Sequence, residues 1–373
     1  MGGQDNGKQW HEDATDERLR GWGAVLRGRH NADGRGGAAA AIPSATPAAT
    51  CAAPAENYNF HSNAAADKHR YAFPKLVVLG ILAGAYIGLG YSLCTLVGGQ
   101  LSKDLRASEP GLFNLIFGIY GFPMGLTLCV VAGADLFTSN CMYTTIAVAE
   151  GRYGLLGAAR CLATSYLCNL LGSLILIGVM LGGEVFHDRE QFVIDLALKK
   201  VSHPFGVTLC KGILCNWLVC LAVWQGNAAR DLTGKFVGIF LPNSAFVSMG
   251  FEHCIANMYL IPLSMCLGSG ISVGTFITKN LIPASLGNLI GGVVFVGGAY
   301  ACSFGAPAHA VADMWDAALS TCLPSSHRQL TPRLSTGALP TVNGRHHTRQ
   351  EQSFDDSLHV AHGAIANGSR YAV

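Results

Sequence analysis

Apolar residues in this chain gather into long runs from which charge is absent. No Asp, Glu, Lys or Arg falls between Lys75 and Lys103, or between Glu109 and Asp135. The stretches Cys161 to Gly183, Gly212 to Ala229, Phe236 to Phe251 and Leu281 to Ala306 are equally free of charge. At about 1.5 Å per residue, each reaches or approaches the roughly 30 Å of a hydrocarbon core. The pattern predicts six spans, at 76–98, 112–148, 155–182, 205–225, 236–267 and 281–304, and so an all-α membrane protein. The second and fifth are too long for one simple crossing and each carries an acid in its interior, so both are expected to be broken. Residues 71–305 form the expected transmembrane domain. Residues 1–70, with Gly and Ala runs, three prolines and an acidic cluster, read as a disordered tail, and so do residues 306–373, rich in Ser, His and Arg.

The second and fifth spans also echo each other. Gly133-Ala134-Asp135 with Asn140, and Gly250-Phe251-Glu252 with Asn257, both read Gly-x-acid-x4-Asn, 117 residues apart. Asn169-Leu170-Leu171-Gly172 and Asn288-Leu289-Ile290-Gly291 repeat at an offset of 119. Two matches at nearly one offset make two repeats of three spans, about 76–182 and 205–304. An odd number of crossings forces the halves to run in opposite directions, an inverted repeat.

Composition agrees. Half of the 373 residues are apolar and 13% are charged, far below a soluble domain. A net charge of +2 gives no reason to expect a nucleic acid or another polyanion as partner. The thirteen cysteines fall mostly inside spans, where they act as small packing residues, and their spacing suits no metal. No cofactor, metal or enzymatic centre is expected. Positive charge is divided almost evenly between the two sides, so it decides little about orientation. The Gly80, Gly84, Gly88 ladder is a packing face for another helix.

Broken helices are tolerated where they line a cavity, and paired ones mark a transport site. Asp135, Thr138 and Asn140 are therefore expected to approach Glu252, His253 and Asn257 near the midplane. The two acids are expected chiefly to cap their half-helices by accepting backbone N–H bonds. His253 is the single histidine inside a span, able to exchange a proton near neutral pH. A packing role, held by a neighbouring hydroxyl such as that of Thr138, is the alternative. Lys199 and Lys200 are placed to draw anions toward a vestibule. Phe122, Leu126, Phe137 and Phe246 sit beside the breaks, where apolar rings can gate by dewetting.

At these residues the chain resembles the formate/nitrite transporter family. Four segments carry the likeness: 133–139, 212–224 around Asn216 and Trp217, 250–258 around Glu252 and His253, and 280–288 through Pro283 to Asn288. Their order and spacing fit across roughly 70–305. The resemblance implies an aquaporin-like protomer of six helices, helices two and five broken, assembled as a homopentamer with a pore in each protomer. It puts His253 at the pore centre, flanked by Thr138 and supported by Glu252, with Lys200 in the vestibule and Asn216 and Asn288 as polar pore residues. Phe122 and Phe246 would form one constriction, Leu126 and Phe137 the other. Cys254 stands where many members have Ser, and Asn140 is variable, which leaves substrate preference open. The wording is closer to the algal nitrite and bicarbonate members than to the bacterial formate channels.

The function expected is passage of a small monovalent anion, nitrite or formate first, with proton donation by His253 neutralising it at the apolar ring. In a competing version His253 stays neutral and only hydrogen-bonds the anion. Bicarbonate is the alternative substrate. A neutral-solute channel of the aquaporin type is the alternative of another class, disfavoured because neither break holds an Asn-Pro-Ala triplet. The acidic cluster Glu12, Asp13, Asp16 and Glu17 favours the plasma membrane over a chloroplast envelope.

Overall fold

A computed structural model describes residues 49–322, and these are helical, with a single isolated bridge between Cys51 and Ala229. The chain enters through α1 (Pro54–Arg70) and makes its first crossing with α2 (Phe73–Gly98). After the short α3 (Lys103–Ser108), the second crossing is assembled from α4 (Pro110–Ile119), α5 (Phe122–Val131) and α6 (Phe137–Ala149). Helix α7 (Leu155–Gly182) is the third, and α8 (Glu190–Ser202) bridges to the fourth, α9 (Phe205–Ala228). The fifth is split into α10 (Leu232–Ser248) and α11 (Cys254–Cys266). Helix α12 (Val273–Phe304) is the sixth, followed by α13 (Ala306–Cys322). The architecture is six crossings in an inverted repeat, with the second and fifth broken.

Small residues set the packing. Helix α2 lies along α7, and α9 along α12. A Cβ at Gly84 would strike the backbone of Asn169, and one at Gly172 the backbone of Ile81. Gly287 and Gly291 meet the backbone of α9 in the same way, at Leu209 and Ile213. Backbones this close need no hydrophobic drive, which lipid cannot supply between helices. Leucines on the outer face of α7, among them Leu167, Leu171 and Leu174, are exposed, as surface toward lipid or another protomer must be. The cysteines of the described residues are free, and Cys94, Cys129, Cys141, Cys215, Cys220 and Cys254 are buried among the helices.

The structure corrects three expected boundaries. Within the expected N-terminal tail, residues 54–70 form α1, while residues 1–48, like 323–373 of the expected C-terminal tail, lie outside the described residues. Tyr58, His61 and Ala65 are buried at i, i+3 and i+7, one face of a helix. That face was hidden in the sequence because it is polar: His61 stacks on Trp224, and its ring accepts a hydrogen bond from Asn227 and contacts the Asn57 carbonyl. Burial pushes the His61 imidazole down to about 4, which keeps it neutral in this packed position. The sixth span begins at Val273 rather than 281, started by the Ser272 hydroxyl, which accepts the Thr275 N–H. Thr275, Thr278, Lys279 and Asn280 interrupt its apolar run and masked this first part. The C-terminal tail likewise begins with a helix, tied back where the Glu150 carboxylate accepts from the Ala306 N–H and the Tyr58 hydroxyl, 2.8 Å each.

Candidate functional site

Both breaks are built alike. Gly133, at φ +83°, turns the chain between α5 and α6, and Gly250, at φ +68°, does so between α10 and α11. Both angles lie in the left-handed region, where a side chain brings strain. The half-helices that follow expose backbone N–H groups, which must be satisfied away from water. Asn169 supplies this on one side: its Oδ1 accepts from Phe137 N–H at 2.9 Å, while its amide donates to the Gly80 and Asp135 carbonyls at 2.8 and 3.0 Å. Asn288 repeats the clamp, accepting from Cys254 N–H and donating to the Gly212 and Glu252 carbonyls, all at 2.8 Å. The Asn-Leu-x-Gly echo in the sequence is this clamp.

With those groups occupied, the two acids do not cap their helices as expected. Asp135 accepts from the Lys68 ammonium at 3.0 Å and the Asn140 amide at 3.1 Å. Glu252 accepts from Lys200 at 3.0 Å, Asn257 at 2.7 Å and Asn280 at 3.1 Å. A carboxylate 1% exposed, as Glu252 is, needs a counter-charge, and neutral caps leave it free to take one. Burial opposes the charge on Lys68, yet Asp135 and the Tyr143 hydroxyl overcome it and hold the amine above the usual lysine range. Lys68 comes from α1 and Lys200 from α8, where Val193, Ala197 and Lys200 form the buried face.

Each pair faces a cavity. The Lys200-side cavity, about 190 Å³, is lined by Lys199, Lys200, His203, Lys211, Glu252, His253, Phe122 and Phe246, among others. The Lys68-side cavity, about 200 Å³, is lined by Lys68, Asp135, Ser139, Tyr143, Leu126 and Asn227, among others. Between them stand His253 and Thr138, the ring Nε2 and the hydroxyl 3.1 Å apart. His253 also caps α11, its Nδ1 accepting the Ala256 N–H at 3.1 Å. An acceptor Nδ1 assigns the neutral ring's proton to Nε2, which donates to Thr138. Phe122 and Phe246 meet edge to face at 5.2 Å, with centroids 5.7 and 5.9 Å from the imidazole, so two apolar rings cover the His–Thr pair from the Lys200 side.

Three expected site residues lie elsewhere. Phe137 packs edge to face on Tyr166 at 4.9 Å and lines a groove with Leu162 and Leu286, not the cavity that Leu126 lines. It is the first residue of α6 and is buried there, while Leu126 lines the Lys68-side cavity. Asn288 lines neither cavity because its side chain is committed to the clamp. Asn216 lines neither cavity either, donating to the Thr138 and Asn288 carbonyls at 3.1 and 2.6 Å. Sequence reasoning missed Lys68 and Asn280. Lys68 has a signal, since it lies in a helix that precedes the first repeat as α8 precedes the second. Asn280 has none beyond being polar in the turn before an apolar run.

The formate/nitrite transporter family model matches residues 55–302. Over 261 residues the chain is 37% identical to a protein described as a probable formate transporter of Methanothermobacter thermautotrophicus, covering 65% of this chain and 93% of that one. It is 37% identical to the formate channel FocA of Escherichia coli K12, covering 61% and 85%. Two solved structures are similar, each at 33% identity. One is an FNT family ion channel (TM-score 0.58; 65% of this chain, 97% of that chain), the other a pentameric formate channel with formate bound (0.55; 61% and 96%).

Proposed function

The chain belongs to the formate/nitrite transporter family, and from that premise we propose that it forms a homopentamer whose protomers each conduct a small monovalent anion, formate or nitrite first. The observation that carries this reading is the pair of lysine-bearing cavities separated by the His253–Thr138 contact under Phe122 and Phe246. Lys200 and Lys68 concentrate the anion at either end, each amine held in place by its buried carboxylate. The phenylalanines oppose a hydrated ion, since stripping its water costs several kcal/mol. An anion reaching the centre replaces Thr138 as acceptor of the His253 Nε2–H.

Proton transfer at His253 needs a cationic ring, and the second proton would sit on Nδ1, facing the Ala256 N–H it now accepts. The geometry therefore favours the version in which His253 stays neutral and hydrogen-bonds the anion. The relay is the second version, kept by a chemical argument: an acid of pKa near 4 is only about one part in a thousand neutral at pH 7, so a local donor would help. The acidic N-terminal cluster supports the plasma membrane as its location.

Uptake by purified protein in liposomes tests both. Nitrite, formate and bicarbonate are compared with and without an inward proton gradient, for wild type, His253→Asn and His253→Phe. Asn keeps an N–H donor and a good helix cap but cannot relay a proton. We expect formate and nitrite flux in wild type, most of it retained by His253→Asn and lost in His253→Phe. Gradient-driven flux lost equally in both variants would establish the relay instead. Bicarbonate flux without formate or nitrite flux would make this an inorganic-carbon channel.

A further inference from the structure

The Lys200-side cavity holds more basic groups than capture by one lysine requires. Lys200 is already paired with Glu252. Beyond that pair, the Lys211 ammonium lies 3.0 Å from His203 Nε2, and both side chains line the cavity. His203 ends α8 and Lys211 sits in the second turn of α9, so the short α8–α9 turn holds them at the cavity wall. The Lys68-side cavity has no such second pair: beyond Lys68 and Asp135, the polar groups on its wall are the uncharged Tyr71, Ser139, Tyr143 and Asn227. We propose that Lys211 and His203 form a proton-coupled anion-binding subsite at the mouth of this cavity, taking small carboxylates and oxyanions before they reach Lys200.

The coupling follows from donor counting. Neutral His203 accepts from Lys211 through Nε2, so the pair satisfies itself and one ammonium proton is withheld from the cavity. A protonated His203 has only donors. It can no longer accept from Lys211, and two N–H groups then converge on one point. A carboxylate or nitrite, with two oxygens on one centre, bridges such donors as a bidentate acceptor. The groups facing His203 are Lys199 and Lys200 on α8, Lys211 on α9 and Glu252 at the break; Tyr91 of α2 and Asn114 of α4 complete the nearby wall. Burial first, then the Lys211, Lys200 and Lys199 charges, hold His203 below the ordinary histidine range against an opposing pull from Glu252. A bound anion reverses part of that penalty. Anion affinity therefore rises as pH falls to the lower end of the ordinary histidine range and below it, and is lowest above that range, where the ring is neutral. Formate itself stays ionised over that range, so the change belongs to the protein.

The proposal rests on the channel reading, and its test is an equilibrium measurement that needs no flux. Labelled formate is dialysed against the purified full-length protein at about pH 7.5 and about pH 5.5. Wild type should bind about tenfold tighter at the lower pH, the value of one added charged hydrogen bond. His203→Gln keeps an acceptor for Lys211 but cannot gain a proton, so its affinity should stay at the high-pH value. Lys211→Met should bind weakly at both. Unchanged elution on size exclusion shows that the variants assemble. A pH dependence that survives in His203→Gln, or wild-type affinity in Lys211→Met, overturns the subsite. Liposome flux of formate and nitrite measured on the same samples separates this from failure of the channel reading, because that reading falls only if the wild type conducts neither.

Discussion

Replacing Lys200 by Met separates what the buried ion pair does for folding from what it does for the anion. Glu252 is 1% exposed, and without Lys200 only the Asn257 and Asn280 amides would face its charge. Removing one partner of such a pair costs about 3–5 kcal/mol, because the remaining charge stays buried. At roughly 2–4 °C per kcal/mol for a chain of this size, the melting temperature should fall by at least about 6 °C. Adding Glu252→Gln removes the stranded charge and keeps an oxygen for the asparagines, so the double variant should recover most of that loss. It should not recover transport. Met cannot donate to the anion as the Lys200 ammonium would, and a lost charged hydrogen bond of at least ~1 kcal/mol means that half-maximal flux should need at least about fivefold more anion. The assay is thermal unfolding in detergent, followed by formate uptake in liposomes from the same preparation. If Lys200→Met melts within about 2 °C of wild type, the pair is solvated and the reasoning fails. A double variant no more stable than Lys200→Met would mean that Lys200 stabilises by packing.

Asn288→Ala leaves two buried backbone groups, the Cys254 N–H and the Glu252 carbonyl, without a partner, at about 1–3 kcal/mol each, so we expect aggregation or a melting temperature lower by about 4 °C or more. Asn169→Ala should match it within error by the same assay, since the two clamps make the same bonds; a mild effect in either would show that water replaces the clamp. Leu126→Ala should raise the ratio of bicarbonate to formate flux by widening the Lys68-side cavity, whereas Phe137→Ala should leave it unchanged. A rise in both would return Phe137 to the permeation path.

The spans and breaks were legible because lipid forbids charge and punishes unsatisfied backbone, and both constraints leave local traces. Absence of charge marks the crossings, and Gly-x-acid-x4-Asn marks the breaks. The role of the acids was not legible. Asp135 and Glu252 sit beside helix N-termini, where capping is the ordinary use of a carboxylate. Only the three-dimensional placement of Asn169 and Asn288, 34 and 36 residues away from the acids whose backbone carbonyls they hold, shows that other residues serve the backbone. Helix α1 escaped for a related reason. Its buried face carries Asn57, His61 and Ser62, and a polar face that packs on polar neighbours leaves no hydrophobic period. Phe137 was misplaced because side-chain direction at the first residue of a half-helix is set by the break, not by the sequence around it.

Lys68 changes the definition of the repeat. Taken as three crossings, each half lacks the lysine that its own buried acid requires. With the preceding helix included, α1 through α7 answers α8 through α12, and each unit contains its own lysine, acid and asparagines. The two units share a scaffold but not a chemistry. Where α6 follows Leu136, α11 follows His253, so one repeat contributes an imidazole and the other, through Thr138, only its hydroxyl partner. Where α8 and α9 bring Lys199, His203 and Lys211 to one mouth, α1 brings Lys68 alone to the other. Symmetry explains how a polypeptide holds two broken helices together in lipid. The departures from symmetry give the path two different ends, and an anion entering from the Lys200 side meets more positive charge than one entering from the Lys68 side. Unequal half-saturation for influx and efflux in oriented vesicles is the direct consequence, and Lys211→Met should reduce that inequality without reversing it.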